Sequence, residues 1–353
     1  MLKCLSISNF RNFKYFDLNL HAKCSFIYGL NGSGKTSLLE AIYFLFLGKS
    51  FRTRLTKNLI YNGTNEFQIG GLLHVNDEEL RIGTLRNTDG VVHLRKNGNR
   101  VRTQGEIARL LPIQLFNHES FLLLTDPSKI RRKFIDWGIF YLKPDFLKVW
   151  HDFDKILKQR NEQIRQDFIP LWDKGLAKLG EQLHLMRLEY LNEFLPFAVE
   201  ILRELLPNLP LNIDYFPGWD TNLPLLSVLN DQRKVDLRFG YTMYGPHRAD
   251  LLVLLGDKNA KDYLSRGQQK ILVYGLQLAQ GLFLQIKGNN QKCLYLIDDP
   301  LAEMDLLNYQ LLMRKIYNTG GGQIVLTGLK QGNLKCMTDF FGDDFLEYDL
   351  SNV

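Results

Sequence analysis

The chain has no Cys-x-x-Cys pair. Its four cysteines (Cys4, Cys24, Cys293 and Cys336) stand singly, three of them in apolar runs that read as strands. This spacing speaks against a zinc knuckle or a disulfide framework and for buried, reduced thiols in a cytoplasmic protein. Long apolar runs are missing too. The longest, Ala41 to Leu47, is far too short to cross a bilayer. The first residues, Leu2–Ser8, are strand-like rather than basic and then apolar, so no secretory leader is expected. There is no internal repeat and no low-complexity tract. What is present is ordinary for a globular protein: 45% hydrophobic and 23% charged residues over 353 positions. That length suits two or three domains and a large core that needs no covalent staple. A formal net charge of +6 permits a polyanionic partner without demanding one.

The first third reads as β-rich. Strands are expected at Leu2–Ser8, Tyr15–Leu20, Cys24–Tyr28, Phe67–Val75, Glu79–Arg86 and Val91–Lys96, with Asn97-Gly98 as a tight hairpin turn. One helix interrupts them, from Lys35 to about Leu47, with Gly48 as its C-terminal stop. From Ser128 to about Leu206 the period becomes helical. Apolar residues recur every three or four positions from Trp172 through Leu183 and Phe194 to Leu205. Pro196 lies inside that stripe and is expected to kink or divide the helix. Residues 207–236 are rich in Pro, Asn and Gly and read as a connection. Strands at Leu251–Leu255, Cys293–Ile297 and Gln323–Leu326, and a long helix at Gly267–Ile286, complete the chain.

Residues 29–36, Gly-Leu-Asn-Gly-Ser-Gly-Lys-Thr, satisfy G-x-x-x-x-G-K-[ST], between an apolar strand and an apolar-faced helix. That frame makes the motif a phosphate cradle. Gly29, Gly32 and Gly34 let backbone N–H groups, with Asn31 and Ser33, turn inward around a phosphate. The helix N-terminus at Thr36 and Ser37 adds partial positive charge. Lys35 is expected to reach the β and γ phosphates of ATP, and Thr36 to ligate Mg²⁺.

A P-loop needs a second, acidic element, and the apolar run Cys293–Ile297 ends in Asp298-Asp299. Asp298 is expected to hold Mg²⁺ through water, and Asp299 to act as general base toward the attacking water. Leu264-Ser265-Arg266-Gly267-Gln268 resembles the signature of ABC-type ATPases, and residues 298–305, ending in Asp305, resemble their Walker B and D-loop. Alone, the signature pentapeptide is also a plain helix cap, with Ser265 at N-cap and Gln268 at N3. Its order, after a P-loop and just before Walker B, favours the nucleotide reading.

With these motifs in place the chain resembles the RecF family of bacterial recombination mediators, relatives of the SMC-type ATPase heads, over essentially its whole length. Asn9-Phe10-Arg11-Asn12-Phe13, Glu40-Ala41-Ile42-Tyr43, residues 131–136 (Arg-Arg-Lys-Phe-Ile-Asp) and residues 244–251 (Tyr-Gly-Pro-His-Arg-Ala-Asp-Leu) are similar to family elements. The resemblance implies an α/β fold, a P-loop NTPase of ABC/SMC-head type: a mixed-sheet ATPase lobe, residues 1–120 plus 237–353, with an inserted helical lobe, 121–236. It implies Gln114 as the Q-loop residue, with a catalytic or Mg²⁺ role, and Arg11 near the nucleotide. It implies an ATP-dependent homodimer in which Ser265, Gly267 and Gln268 of one copy complete the other's site. It further implies weak, DNA-stimulated ATP hydrolysis, binding to double-stranded and gapped DNA, a RecR-type partner, recombinase (RecA) loading, and roles in DNA repair, replication and the SOS response. The basic run around Arg131, Arg132 and Lys133 is the expected DNA-facing surface. Two departures point to slow turnover: Asp299 stands where most ABC ATPases carry Glu, and Thr327 follows the strand where transporters carry a switch histidine. A transporter ATPase, a structural SMC-like protein and a small-molecule kinase are the competing readings. The 230 residues between Lys35 and Ser265 disfavour the first.

Overall fold

The computed structural model describes the whole chain except residues 21–22, 76, 167–170, 301–305, 319–321, 330–340 and 352–353. Two compact units form: Met1–Ser120 with Gln285–Val353, and Phe121–Leu284.

The first unit holds two sheets. The strands of the antiparallel one are β1 (Leu2–Phe10), β2 (Phe13–Asn19), β4 (Glu66–Val75), β5 (Glu78–Asn87), β6 (Val92–Lys96) and β7 (Asn99–Arg100), in the order β2-β1-β4-β5-β6-β7. The parallel one is built from β3 (Cys24–Tyr28), β8 (Ile113–Phe116), β12 (Cys293–Ile297), β13 (Gly322–Gly328) and β14 (Phe345–Asp349), in the order β14-β3-β13-β12-β8. Every residue of β3 and β12 is buried, as parallel strands covered on both faces must be. Between the sheets runs helix α1 (Lys35–Leu47), buried on nearly all sides. One core joins Leu2, Phe10 and Phe67 of the antiparallel sheet, Leu38, Ile42 and Phe46 of α1, and Ile27, Leu294 and Val325 of the parallel sheet. Helix α1 stops where expected: Gly48 takes a left-handed φ of 64°, and its N–H bonds Phe44 O at 2.8 Å. The Asn97-Gly98 turn also forms, with φ of 48° and 78° between β6 and β7. A short helix, α2 (Gln104–Ala108), lies beside α1 and opens on a Thr103–Glu106 capping box.

The second unit contains α3 (Leu122–Thr125), α4 (Ser128–Leu142), α5 (Phe146–Ile164), α6 (Asp173–Leu205), α7 (Leu225–Asp231), α8 (Arg233–Phe239), α9 (Ala260–Tyr263) and most of α10 (Arg266–Lys287). A small sheet, β11-β10-β9, unites β9 (Leu211–Phe216), β10 (Asp250–Leu255) and β11 (Lys258–Asn259). The expected lobe boundary at 236/237 therefore moves to 284/285. Strand β10 pairs in register with β9 from Asp250↔Phe216 to Leu255↔Leu211. On α10, Gln280 donates to Phe134 O (2.6 Å) and Tyr190 Oη (3.2 Å), and a Cβ at Gly275 would lie 2.7 Å from Leu202. These contacts bind residues 237–284 to the helices, and no local periodicity announces them. Residues 207–236 are correspondingly more regular than a connection: β9, α7 and part of α8 form there. Pro196 does not divide α6. It lies on the exposed face, where water can take up the carbonyl freed one turn earlier.

Two buried arginines organise this unit. Arg160 donates to Asp173 (2.7 Å), Asp236 (2.7 Å) and Thr242 Oγ1 (2.7 Å). Arg187 forks onto Asp136 (2.8 and 2.9 Å) and reaches Pro246 O at 2.6 Å. Burial pushes His247 down to about 4, so it stays neutral and donates from Nε2 to Thr242 O at 2.9 Å. Removing one partner of such a pair strands a buried charge. Asp236→Ala, which also frees the Met243 N–H, is expected to lower unfolding free energy by about 3–5 kcal/mol in urea titrations; Asp236→Asn should cost less.

Candidate functional site

The P-loop leaves the end of β3 and turns into α1 at Gly34, whose φ of 101° admits glycine readily and other residues poorly. Space excludes a side chain as well. A Cβ there would sit 2.5 Å from Asn12 Nδ2 and 2.6 Å from the Phe13 ring. Residues 9–13 thus form one wall against the loop. Lys35 folds back, and its ammonium donates to Gly29 O (2.8 Å) and Leu30 O (2.9 Å).

Opposite stands the end of β12. Asp298 accepts from Thr36 Oγ1, at 3.0 Å to Oδ1 and 3.1 Å to Oδ2, and from Thr327 Oγ1 at 2.7 Å. Thr327, noted in the sequence only as the place of a missing histidine, also accepts the Asp299 N–H at 3.2 Å. Asp299 itself has a left-handed φ of 43°. Asp tolerates that conformation better than most residues, and such strain gathers at functional sites.

Between the two walls lies a cleft of about 730 Å³, within the usual range for small-molecule sites. Asn31, Gly32, Gly34, Lys35, Thr36 and Ser37 line it from the P-loop side, and Asp298, Asp299 and Thr327 from the strand side. A third wall had no motif to announce it. Residues 58–62 run beside residues 9–11, joined by Arg11 N–H to Leu59 O (2.7 Å), Tyr61 N–H to Asn9 O (2.8 Å) and a Phe10↔Ile60 bridge. Alternate residues Asn58, Ile60 and Asn62 therefore line the cleft, an aliphatic side chain between two amides. Asn12, Arg52 and His118 line it too. No signal was available for these: each is placed by pairing between segments far apart in sequence.

Two expected site residues take other parts. Arg11 borders the cleft, but its guanidinium forks onto the fully buried Glu40 (2.8 and 2.6 Å) and donates to Asn58 O (2.7 Å). Ser50 Oγ also donates to Glu40, and Arg52 lies 3.7 Å from it. Arg11 thus positions the wall. Gln114 lies inside β8, buried, in register with Tyr295, and is not among the cleft residues. The chain leaves the sheet only after Phe116, and His118, in the turn that follows, lines the cleft.

In the second unit the signature opens the 22-residue α10. Ser265 and Gln268 exchange bonds as a capping box: Gln268 N–H to Ser265 Oγ at 3.3 Å and Ser265 N–H to Gln268 Oε1 at 2.9 Å. Ser265 is exposed, and a Cβ at Gly267 would touch nothing. Asp305 lies outside the described residues.

Arg131 and Arg132 are not free cations. Arg131 forks onto Asp250 (2.6 and 3.0 Å) and donates to Leu123 O and Asp126 O. Arg132 donates to Ser128 Oγ (2.6 Å) and Ala249 O (2.7 Å). The two basic positions and the 244–251 element are halves of one structural joint. Lys133 alone of the three is exposed.

The model of the RecF/RecN/SMC N terminal domain matches residues 1–347. The chain belongs to the RecF family. It is 38% identical over 333 residues to the DNA replication and repair protein RecF of Shewanella denitrificans, covering 93% of this chain and 92% of the relative. To that of Cellvibrio japonicus it is 40% identical over 334 residues, with 93% and 91% covered. Among solved structures, the recombination mediator RecF with ATP, of the RecFOR pathway, superposes with a TM-score of 0.84 at 26% identity, covering 94% of this chain and 93% of that one. An SMC head bound to the ScpA winged-helix domain gives 0.59 at 16% identity and shares the fold. The family's P-loop, ABC/SMC-head architecture is the one seen here.

Gly34→Ala is expected to cost roughly 1–3 kcal/mol of stability through left-handed strain, and to weaken nucleotide binding by displacing Asn12 and Phe13. Thermal melts and titration with a fluorescent ATP analogue check both.

Proposed function

We propose that this chain binds Mg-ATP in the P-loop cleft, and that two copies close head to tail around two shared ATP molecules. The closed dimer holds duplex DNA near single-strand gaps and acts with a RecR-type mediator to promote recombinase (RecA) loading in repair and replication restart. Slow hydrolysis, stimulated by DNA, resets it. The observation that carries this reading is the convergence of Thr36, Asp298 and Thr327 opposite Lys35.

The Lys35 ammonium, lent to two P-loop carbonyls, is within the loop that would wrap the β phosphate and can exchange those bonds for phosphate oxygens. The Thr36 hydroxyl and the Asp298 carboxylate are hard oxygen donors about 3 Å apart, a set that fits Mg²⁺, which takes few protein ligands and completes its shell with phosphates and water. Bound there, the ion would withdraw charge from the phosphate oxygens. Asp299, aimed into the cleft by its left-handed backbone, is the base; one methylene shorter than Glu, it reaches the attacking water less well. The exposed Ser265 cap and open Gly267 are available to the γ-phosphate held by a second copy, where helix N–H groups meet negative charge. Losing that phosphate reopens the dimer.

The family relatives named for DNA replication and repair, and the ATP-bound mediator of the RecFOR pathway, support the biological half of the proposal. One feature weighs against a structural SMC-like arm: the longest described helix, α6, has 33 residues, far short of such an arm.

In sedimentation, ATP should double the mass of the wild type and leave Lys35→Met and Ser265→Arg monomeric. Only Lys35→Met should also lose nucleotide binding. Equal wild-type masses with and without ATP would overturn the shared site. Asp299→Asn should still dimerise on ATP but release phosphate about 10²–10⁴-fold more slowly.

A further inference from the structure

Arg131 and Arg132 are tied into the second unit, and the first unit carries a basic surface of its own. One row of residues crosses the antiparallel sheet at right angles to its strands: Asp17↔Ser6↔Gly70↔Gly83↔Arg95↔Arg100. Its chain neighbours Ile7, Ile69, Ile82 and Leu94 are all buried, so the alternation of strands turns the row outward. Across three strands, roughly 14 Å at the usual spacing, the row offers only a serine hydroxyl and two bare glycines. At its end Arg95 stands directly opposite Arg100, and Arg81 projects two residues from Gly83 on the same face. All three arginines are exposed, and among the described residues none makes an ion pair.

Like charges directly opposite on a sheet are destabilising. Gly83 is not forced by its backbone or by crowding: its φ is ordinary, and a Cβ would meet nothing closer than Ile69 O at 3.7 Å. A Cβ at Gly70 would lie 2.6 Å from Ser6 Oγ, so that glycine is partly set by packing. The arginine pair and the bare position at Gly83 are not required by the sheet's own folding. A polyanion relieves the first and fits the second. Three acids share this face and none adjoins the Arg95–Arg100 pair: Asp17 is at the far end of the row, bonded to Tyr15, Glu66 is opposite Asn87, and Glu79 is opposite His74, two residues from Arg81.

We propose that this outer face, with Arg81, Arg95 and Arg100 at its rim and Ser6, Gly70 and Gly83 as its floor, seats the phosphodiester backbone of duplex DNA. This rests on the DNA-binding half of the proposed function. Arginine forks suit phosphate oxygens, and a floor of one serine and two glycines offers little apolar surface to a protein partner. Contacts of this kind are blind to sequence and strongly salt-dependent.

The test measures duplex DNA binding by the full chain with ATP across a salt series. Compared are wild type, the triple variant Arg81→Gln/Arg95→Gln/Arg100→Gln, and Gly83→Asp. Melting temperatures check folding; the triple variant, relieved of repulsion, should not melt lower than wild type. The triple variant should lose about three from the slope of log K against log salt, and at least about tenfold in affinity. Gly83→Asp, which puts a carboxylate on the floor, should weaken binding in the same direction. If wild type binds DNA and both folded variants bind equally well with the same slope, this surface is wrong while the DNA reading stands. If wild type binds no duplex, the DNA reading fails and takes this inference with it. Loss of polyglutamate binding in the variants with DNA binding intact would assign the face to an acidic protein partner and overturn the proposal.

Discussion

The carboxylate of Asp298 is the point on which the P-loop cleft hangs. Thr36 reaches it from the start of α1 across 262 residues of sequence, and Thr327 from the neighbouring strand. That meeting requires β3, β13 and β12 to lie side by side, parallel and in their observed register, so that their C-terminal ends come together. A slip of one residue would send the Asp298 side chain to the other face of the sheet. The burial of β3 and β12 on both faces and the packing of α1 between two sheets prevent that slip. Core packing and site geometry are thus one constraint, and Thr327 belongs to both.

The second unit shows how carboxylates decide the fate of arginines. Arg131, Arg160 and Arg187 each face an aspartate, Asp250, Asp173 with Asp236, and Asp136 respectively, and are drawn inward. There Arg160 ties α5 to α6 and α8, and Arg131 and Arg187 join the 131–136 element to the 244–251 element. Among the described residues Arg81, Arg95 and Arg100 have no such partners, and they are exposed. Net charge and local density of basic residues cannot distinguish the two groups, because the difference lies in which acid the fold brings within reach.

Much of the ATPase lobe was legible because its signals are local. Cys24–Tyr28, Lys35–Leu47 and Cys293–Ile297 form with the expected bounds. In each an apolar run is closed by residues with their own conformational demand, such as Gly34 and Gly48. The same is true of the Asn97-Gly98 turn and the Ser265–Gln268 cap. What failed depended on distant pairing. The lobe boundary moved because β10 joins β9; Gln114 was absorbed into a strand paired with β12; Pro196 left α6 undivided because it fell on the solvent side of that helix.

Taken alone, the sequence determined the chemistry available: a glycine loop with one lysine and one threonine, two aspartates at a strand end, and a capped helix in signature order. Backbone conformational limits and short-range hydrogen bonds suffice for these. Only the tertiary structure decided which groups meet: Thr327 with Asp298, Arg11 with Glu40, the 58–62 segment along the cleft, and the row of glycines ending in arginines on the open sheet. Those meetings depend on strand order and register, which are set by burial summed over the whole core and leave no mark within any short window of residues.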